Sequence, residues 1–447
     1  MAVEGLYFTC PSCKAVSPVD PRFVSWCHAC GLNADPEAAS PPKGRFRTRA
    51  ALRGDKRMRE VFERCKTAPD LRNLPDRWRR LGQACAVLVH LATVALIAGA
   101  VFVALSTVWI VLKVLLVLLL VGFAFEVRPR LGRPAKGIEV KREQAPALWS
   151  VVTELCAMVG ARPPHTLFVD GRFNASYGMV GLKRSRRLTL GYPLWNVLGP
   201  EERIAVLAHE LAHDVNRDLR HSLLVGSALL SLRQWLGLLS FSTRLARGRI
   251  AAGGGGLPGL LPYIEVFAAL LFAPLFGLVA LAGRMLHGIS DRAGQRAEYL
   301  ADDFSYRIAG RGGAVSSLTK LLMTKSCIQA INTASLQGQP DLWRSEREFV
   351  DSIPDYELRR RRFIAASRML RADGTHPPTE FRIRLLEARD PKPCHVPYLA
   401  RRVADSDSEL TPFAGALLQE IHGSRSVGVV RGPHSDREAV VSGQVET

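Results

Sequence analysis

Apolar residues run almost without interruption from Ala84 to Phe125, about twice the ~20 residues that one bilayer-spanning helix needs. The stretch predicts a transmembrane helical hairpin over residues 83–127, turning near Ser106-Thr107. Two further apolar segments, 222–241 and 257–282, are separated by Arg244, Arg247, Arg249 and the run Gly253-Gly254-Gly255-Gly256. Arg233, Glu265 and Pro274 within them weaken the reading as full spans. Helices lying in the interface are the alternative.

Outside these segments the pattern changes period. Residues 144–160 alternate as an amphipathic helix, and 166–169, 175–181 and 187–190 read as strands. A further helix is predicted over 201–216, with others at 314–322 and 359–370. The polar stretch 337–355 reads as a loop, with a substrate-facing lid as the alternative. Beyond Pro391 no firm periodicity is visible, and from about residue 423 the composition predicts a disordered tail.

The 201–216 helix carries His209-Glu210-Leu211-Ala212-His213. Residues four apart share a helix face, so both imidazoles can aim at one metal ion with Glu210 beside it. Such an ion lowers the pKa of water toward ~7, and a neighbouring carboxylate can take the proton as water attacks a carbonyl. A third ligand is expected from a second helix. The candidate is Glu298, with Asp302 four residues on as a partner that orients a ligand histidine; a solvated acidic helix is the plain alternative. His213 and Glu298 must reach the same side of the bilayer, so the chain between them crosses it twice or not at all.

The run from His209 to Asp218, the pair Glu298-x-x-x-Asp302, and Thr375-His376-Pro377-Pro378-Thr379-Glu380-Phe381-Arg382 resemble the membrane zincins of the HtpX-type and CaaX prenyl protease family. The similarity spans roughly residues 140–390. It implies that His209, His213 and Glu298 bind zinc, that Glu210 is the general base, and that the enzyme is an integral-membrane peptidase with a cytosol-facing site. Asn174-Ala175-Ser176-Tyr177-Gly178 resembles the family's edge-strand segment, so Asn174, Ala175 and Tyr177 are expected to face substrate, with pure scaffolding as the alternative. His376 matches a family histidine that can support the oxyanion or cap a loop. Asn216 and Arg382 are expected near the ligands, Arg382 pairing with Asp302 or Glu298 or lying in a surface salt bridge.

At the N-terminus, Cys10-Pro11-Ser12-Cys13 and Cys27-His28-Ala29-Cys30 form two Cys-x-x-Cys knuckles. Four thiolates so arranged fit a closed, structural zinc site rather than a pair of disulfides, and the spacing is close to that of a zinc ribbon. His28 reads as a bystander. The remaining five cysteines show no pairing pattern. The N-terminus lacks a basic region followed by an apolar one, so no cleavable signal peptide is expected.

A net charge of +19 would ordinarily raise nucleic acid as a partner. Here the basic residues crowd beside apolar segments, which points to membrane topology and anionic lipid. Arg77, Arg79 and Arg80 precede the hairpin, and Arg128, Arg130 and Arg133 follow it. Both ends are therefore expected in the cytoplasm of a multi-pass plasma-membrane protein. Residues 34–82 read as a basic tether, helical near 55–66. Nucleic acid is disfavoured as its partner, because few aromatics interleave the charges.

Together these readings predict a mainly α membrane protein. Its parts are a zinc ribbon at 1–33, a basic linker at 34–82, the hairpin at 83–127, a zincin-type α+β catalytic domain at 138–395 with the two inserted apolar helices, and a partly disordered extension at 396–447. The function expected is a zinc endopeptidase using one catalytic and one structural Zn2+, acting on membrane-associated or misfolded proteins. The rivals are a non-catalytic membrane receptor and a zinc-ribbon module that binds nucleic acid or protein. CaaX processing has no support, since nothing reads as a prenyl chamber; the ribbon's partner is not legible.

Overall fold

Two long apolar helices form a hairpin in a computed structural model that describes residues 6–36, 45–129, 137–181, 184–216, 218–240, 261–367 and 377–423. An N-terminal hairpin of β1 (Tyr7–Thr9) and β2 (Val16–Pro18) is followed by α1 (Arg45–Thr67) and a 3-10 turn at Leu71–Asn73. The apolar pair is α2 (Arg77–Leu105) and α3 (Ile110–Val127). Asp76 caps α2, its carboxylate accepting from the Arg79 backbone N–H at 3.1 Å. Side chains such as Leu88, Phe102, Leu115 and Leu118 are exposed along this hairpin. A surface of that kind is stable only against lipid or another apolar partner.

The catalytic part opens with β3 (Ile138–Glu139) and α4 (Pro146–Val159), then β4 (Thr166–Asp170), β5 (Ala175–Val180) and β6 (Ser185–Gly191). These strands form one sheet in the order β3-β4-β6-β5. β4 runs parallel to β6, and β5 pairs antiparallel with it, Tyr177 opposite Leu188. β5 is thus an edge strand. Leu188 and Leu190 turn into the core, where they meet the helices that follow.

Those helices are α5 (Tyr192–Val197), α6 (Pro200–Val215), α7 (Asp218–Leu239) and α8 (Leu261–Leu321). Helix α8 is broken at Gly310 (φ 77°, ψ 172°). A Cβ there would lie 2.6 Å from the Pro393 carbonyl carbon, so only glycine permits the approach. α6 packs along α8, with Leu207, Leu211, Tyr299 and Ala301 buried between them. Among the described residues, four helices are long and apolar enough to cross a membrane: Arg77–Leu105, Ile110–Val127, His221–Leu239 and Ala273–Leu321. The protein is a mostly helical membrane protein with a small sheet.

Next come α9 (Thr324–Leu336), α10 (Leu342–Asp351), α11 (Asp355–Ser367), α12 (Thr379–Glu387) and α13 (Pro397–Gly423). Here the structure differs from the sequence reading in three places. The polar stretch 337–355 is neither loop nor lid: α10 buries Leu342, Trp343, Glu346 and Val350, a one-sided pattern hidden among charged neighbours such as Arg344, Arg347 and Glu348. After Pro391 the chain is helical from Pro397 to Gly423, with Leu399, Val403, Leu410 and Leu417 wholly buried. Its Glu409 carboxylate accepts from the N–H groups of Ala147 and Leu148 at the start of α4, 2.7 and 3.1 Å away. The stretch read as a basic tether also joins the core: Met58, Phe62 and Cys65 of α1 are buried, and Phe62 stacks on Phe381 at 4.7 Å.

Candidate metal centre and active site

Local sequence makes α6 a helix with one committed face. Pro200 sits in its first turn, and the Glu202 carboxylate accepts from the Gly199 backbone N–H at 2.5 Å. Apolar Ile204, Ala205, Leu207, Ala208, Leu211 and Ala212 are buried. The polar face left over carries His209, Glu210 and His213.

α8 brings Glu298 across that face. Its carboxylate oxygens lie 3.5 Å from His209 Nε2 and 3.8 Å from His213 Nε2. The imidazole rings are perpendicular, 88° apart, with centroids separated by 5.1 Å. One ligand atom from each of the three residues can be chosen so that all lie within 4.8 Å of one another. Two imidazole nitrogens and a carboxylate oxygen match the donor set of a catalytic zinc site that keeps a position open.

Each imidazole is held from behind by an acid. Asp302 lies 3.0 Å from His209 Nδ1, and Asp218 lies 3.1 Å from His213 Nδ1. An Nδ1–H donated to a carboxylate leaves Nε2 with its lone pair toward Glu298. Burial and the Arg382 charge push the His209 imidazole down, but Asp302 and Glu298 outweigh them and raise it to about 10. Burial likewise lowers His213, and Asp218 and Glu298 override it.

Arg382 enters from α12. Its Nη1 stands 3.3 Å from Glu298, and it bonds both oxygens of Asp302. Glu210 faces the sheet instead, its Oε2 accepting from the Tyr177 backbone N–H at 2.9 Å. The Tyr177 hydroxyl donates to the Arg162 carbonyl at 2.6 Å, and Arg162 forks onto Asp214 of α6.

Of the other residues singled out in sequence, Ala175 starts the edge strand, and the Asn174 carbonyl accepts from the Gly191 N–H at 2.7 Å. Asn216 caps the end of α6 through its backbone, and its side-chain amide nitrogen makes no hydrogen bond among the described residues. His376 lies outside the described residues. Sequence reasoning misses the role of Asp218. Its only signal there is its place five residues after His213, which does not fix where a side chain beyond the helix end will point.

At the N-terminus the four cysteines also converge. Cys10 and Cys30 Sγ are 3.6 Å apart and Cys13 and Cys27 3.4 Å, with all four ligand atoms within 4.8 Å. The two knuckles repeat one turn: Lys14 N–H donates to Cys10 O, and Gly31 N–H to Cys27 O. The Cys30 backbone N–H and the Cys13 thiol pull the Cys27 thiol down to about 6. His28 is tied to Ser17 at 2.9 Å.

The sequence profile of peptidase family M48 matches residues 142–390, more than half of the chain and inclusive of both ligand helices. The chain belongs to peptidase family M48. It is 25% identical over 251 residues to a protease HtpX homolog of Bacteroides fragilis (strain YCH46), covering 56% of this chain and 70% of that one. A protease HtpX homolog of Pelotomaculum thermopropionicum is 29% identical over 192 residues, 41% of this chain and 60% of its own. One from Bifidobacterium longum is 26% identical over 248 residues, 55% and 71% respectively. As an M48 peptidase the protein is a metallopeptidase, a hydrolase of peptide or protein substrates. The cysteine ribbon and the α2–α3 hairpin lie outside the M48 match.

Proposed function

We propose that the protein is a multi-pass zinc endopeptidase that cleaves membrane-associated or misfolded proteins at the cytosolic face of the plasma membrane. The observation that carries this reading is the convergence of the His209, His213 and Glu298 ligand atoms within 4.8 Å, beside Glu210. When bound, zinc supplies Lewis acidity that polarises a carbonyl and acidifies water. Glu210 Oε2 is held by the Tyr177 N–H, which leaves Oε1 to take a proton from the attacking water and pass it to the departing amine. His376 is the proposed donor to the developing oxyanion. A second zinc, held by Cys10, Cys13, Cys27 and Cys30, serves the ribbon's fold.

The edge strand supports a mode of substrate binding. The Tyr177 N–H points away from β6 to Glu210, so the backbone groups of Ala175, Tyr177 and Met179, whose register partners on β6 are Leu190, Leu188 and Arg186, face the outer edge. An extended peptide can add there as a further strand. The orientation rests on charge. Arg77, Arg79 and Arg80 open α2 and Arg128 follows α3, so both ends of the hairpin belong in the cytoplasm.

The test is Glu210→Gln. Zinc content should match the wild type and proteolysis of a model unfolded membrane protein should be abolished. Full activity in a zinc-loaded Glu210→Gln protein refutes the assignment.

A further inference from the structure

The foot of the membrane hairpin grips both helices that carry the candidate ligands. On one side, Arg79 of α2 donates from Nη1 to the Asn216 carbonyl at 2.5 Å, at the C-terminal end of α6, where the helix dipole favours a cation. The same Nη1 stands 3.7 Å from Asp218, the carboxylate behind His213. On the other side, Asp76, which caps α2, pairs at 3.1 Å with Arg296, two residues before Glu298 on α8. Arg296 also donates to the carbonyls of Leu71 and Leu74, just ahead of α2. One short stretch, residues 71–79, therefore touches the His213 arm and the Glu298 arm of the site. It lies wholly outside residues 142–390, the extent of the family match.

We propose that Arg79 is a positioning residue for the catalytic metal, acting through Asp218 on His213, so that the membrane hairpin forms part of the support of the zinc site as well as an anchor. This rests on the metallopeptidase reading above. The physical case is that a ligand histidine needs its Nδ1 acceptor in place, and Asp218, the first residue of α7, faces His213 across the α6–α7 junction, so its hold has to come from outside α6. The Arg79 guanidinium supplies that hold. Both Arg79 and Asp218 are less than one-fifth exposed, so their attraction is only partly screened. Asp76–Arg296 sets the same foot against α8, and so fixes α2 relative to Glu298. Removing supports one step behind a ligand ordinarily lowers metal affinity about 10–100-fold.

The experiment measures zinc affinity by chelator competition on the full-length protein in detergent. His213→Ala runs alongside, and the catalytic ion is counted as the zinc lost in that variant, so that zinc on the four cysteines cancels. Arg79→Ala, one contact further from the ion than Asp218, should weaken the catalytic ion about three- to tenfold, less than Asp218→Ala does. Arg79→Ala combined with Asp218→Ala should be within about twofold of Asp218→Ala alone, since the two act in series. Arg79→Lys should recover part of the loss. Arg77→Ala, which removes a neighbouring charge packed on Trp78, should bind zinc as the wild type does. If Arg79→Ala does not accumulate, Arg79→Gln keeps the donor to Asn216 without the charge and should show the same direction of loss. Wild-type affinity in Arg79→Ala or Arg79→Gln, with His213→Ala losing its ion, overturns the relay alone. Equal zinc content in wild type and His213→Ala overturns the metal site itself.

Discussion

Arg382 and Asp302 form a bidentate ion pair behind His209, with Nε and Nη2 at 2.8 and 2.7 Å from the two carboxylate oxygens. The partners are 8% and 1% exposed and sit 80 residues apart in sequence. Asp302 can orient His209 only while a second charge compensates it, because a lone buried carboxylate would otherwise take up a proton.

Truncating that partner should therefore be severe. Arg382→Ala is expected to destabilise the protein by about 3–5 kcal/mol, since it strips the buried Asp302 carboxylate of its two guanidinium hydrogen bonds and leaves it only the His209 imidazole. Arg382→Lys should restore little, because an ammonium cannot fork onto both oxygens. Thermal unfolding of the detergent-solubilised variants measures this; a melting midpoint for Arg382→Lys equal to the wild type contradicts it.

Tyr177 ties the edge strand to α6 by two routes, its N–H to Glu210 and its hydroxyl to the Arg162–Asp214 pair. Tyr177→Phe removes only the second. The expected loss is about 1 kcal/mol of stability and a several-fold drop in kcat, with zinc content unchanged. Steady-state kinetics and zinc analysis together test this, and an unaltered kcat removes the hydroxyl from the account.

The ribbon is docked on the catalytic part. Arg22 donates to Ser352 Oγ and O at 2.8 and 3.0 Å, Arg360 donates to Ala34 O at 2.7 Å, and Trp26 meets Phe363 at 5.7 Å. A zinc site closed by four cysteines contributes folding energy directly. Cys27→Ser should unfold residues 6–36 and speed amide exchange in α10 and α11, while the catalytic zinc stays bound. Unchanged exchange there means that the ribbon and these helices are energetically separate.

Glu346 is wholly buried, accepting from Asn196 Nδ2 at 2.9 Å, and burial raises its carboxyl from 4.5 to about 8. The folded protein therefore holds a proton that the unfolded chain has released. Between pH 4.5 and about 8 this group lowers stability as pH rises, by up to ~1.4 kcal/mol per pH unit. Glu346→Gln should flatten that dependence and raise the melting midpoint near pH 8. Identical pH profiles for variant and wild type would show that Glu346 is ionised in the fold.

What the sequence determines here is local. Helical geometry alone puts His209 and His213 on one face, because residues four apart always share it. Two Cys-x-x-Cys knuckles present their thiols by turn geometry, and a long apolar run must find lipid. Periodicity also marks α4, α6 and the strands β4 to β6 to within a few residues. It fails for α10 and α13, where a narrow apolar stripe is interrupted by charges; for α1 it marks the helical stretch near 55–66 but not its place in the core, which Phe62 finds only against Phe381. Tertiary structure alone decides which charges meet. Asp218 reaches His213 and Arg79 reaches the end of α6 from a segment 137 residues upstream, while Arg382, read from sequence as a partner of Asp302 or Glu298 or as a surface ion pair, meets both carboxylates. Such pairings depend on how helices pack against one another, and side-chain spacing within any one of them carries no trace of it.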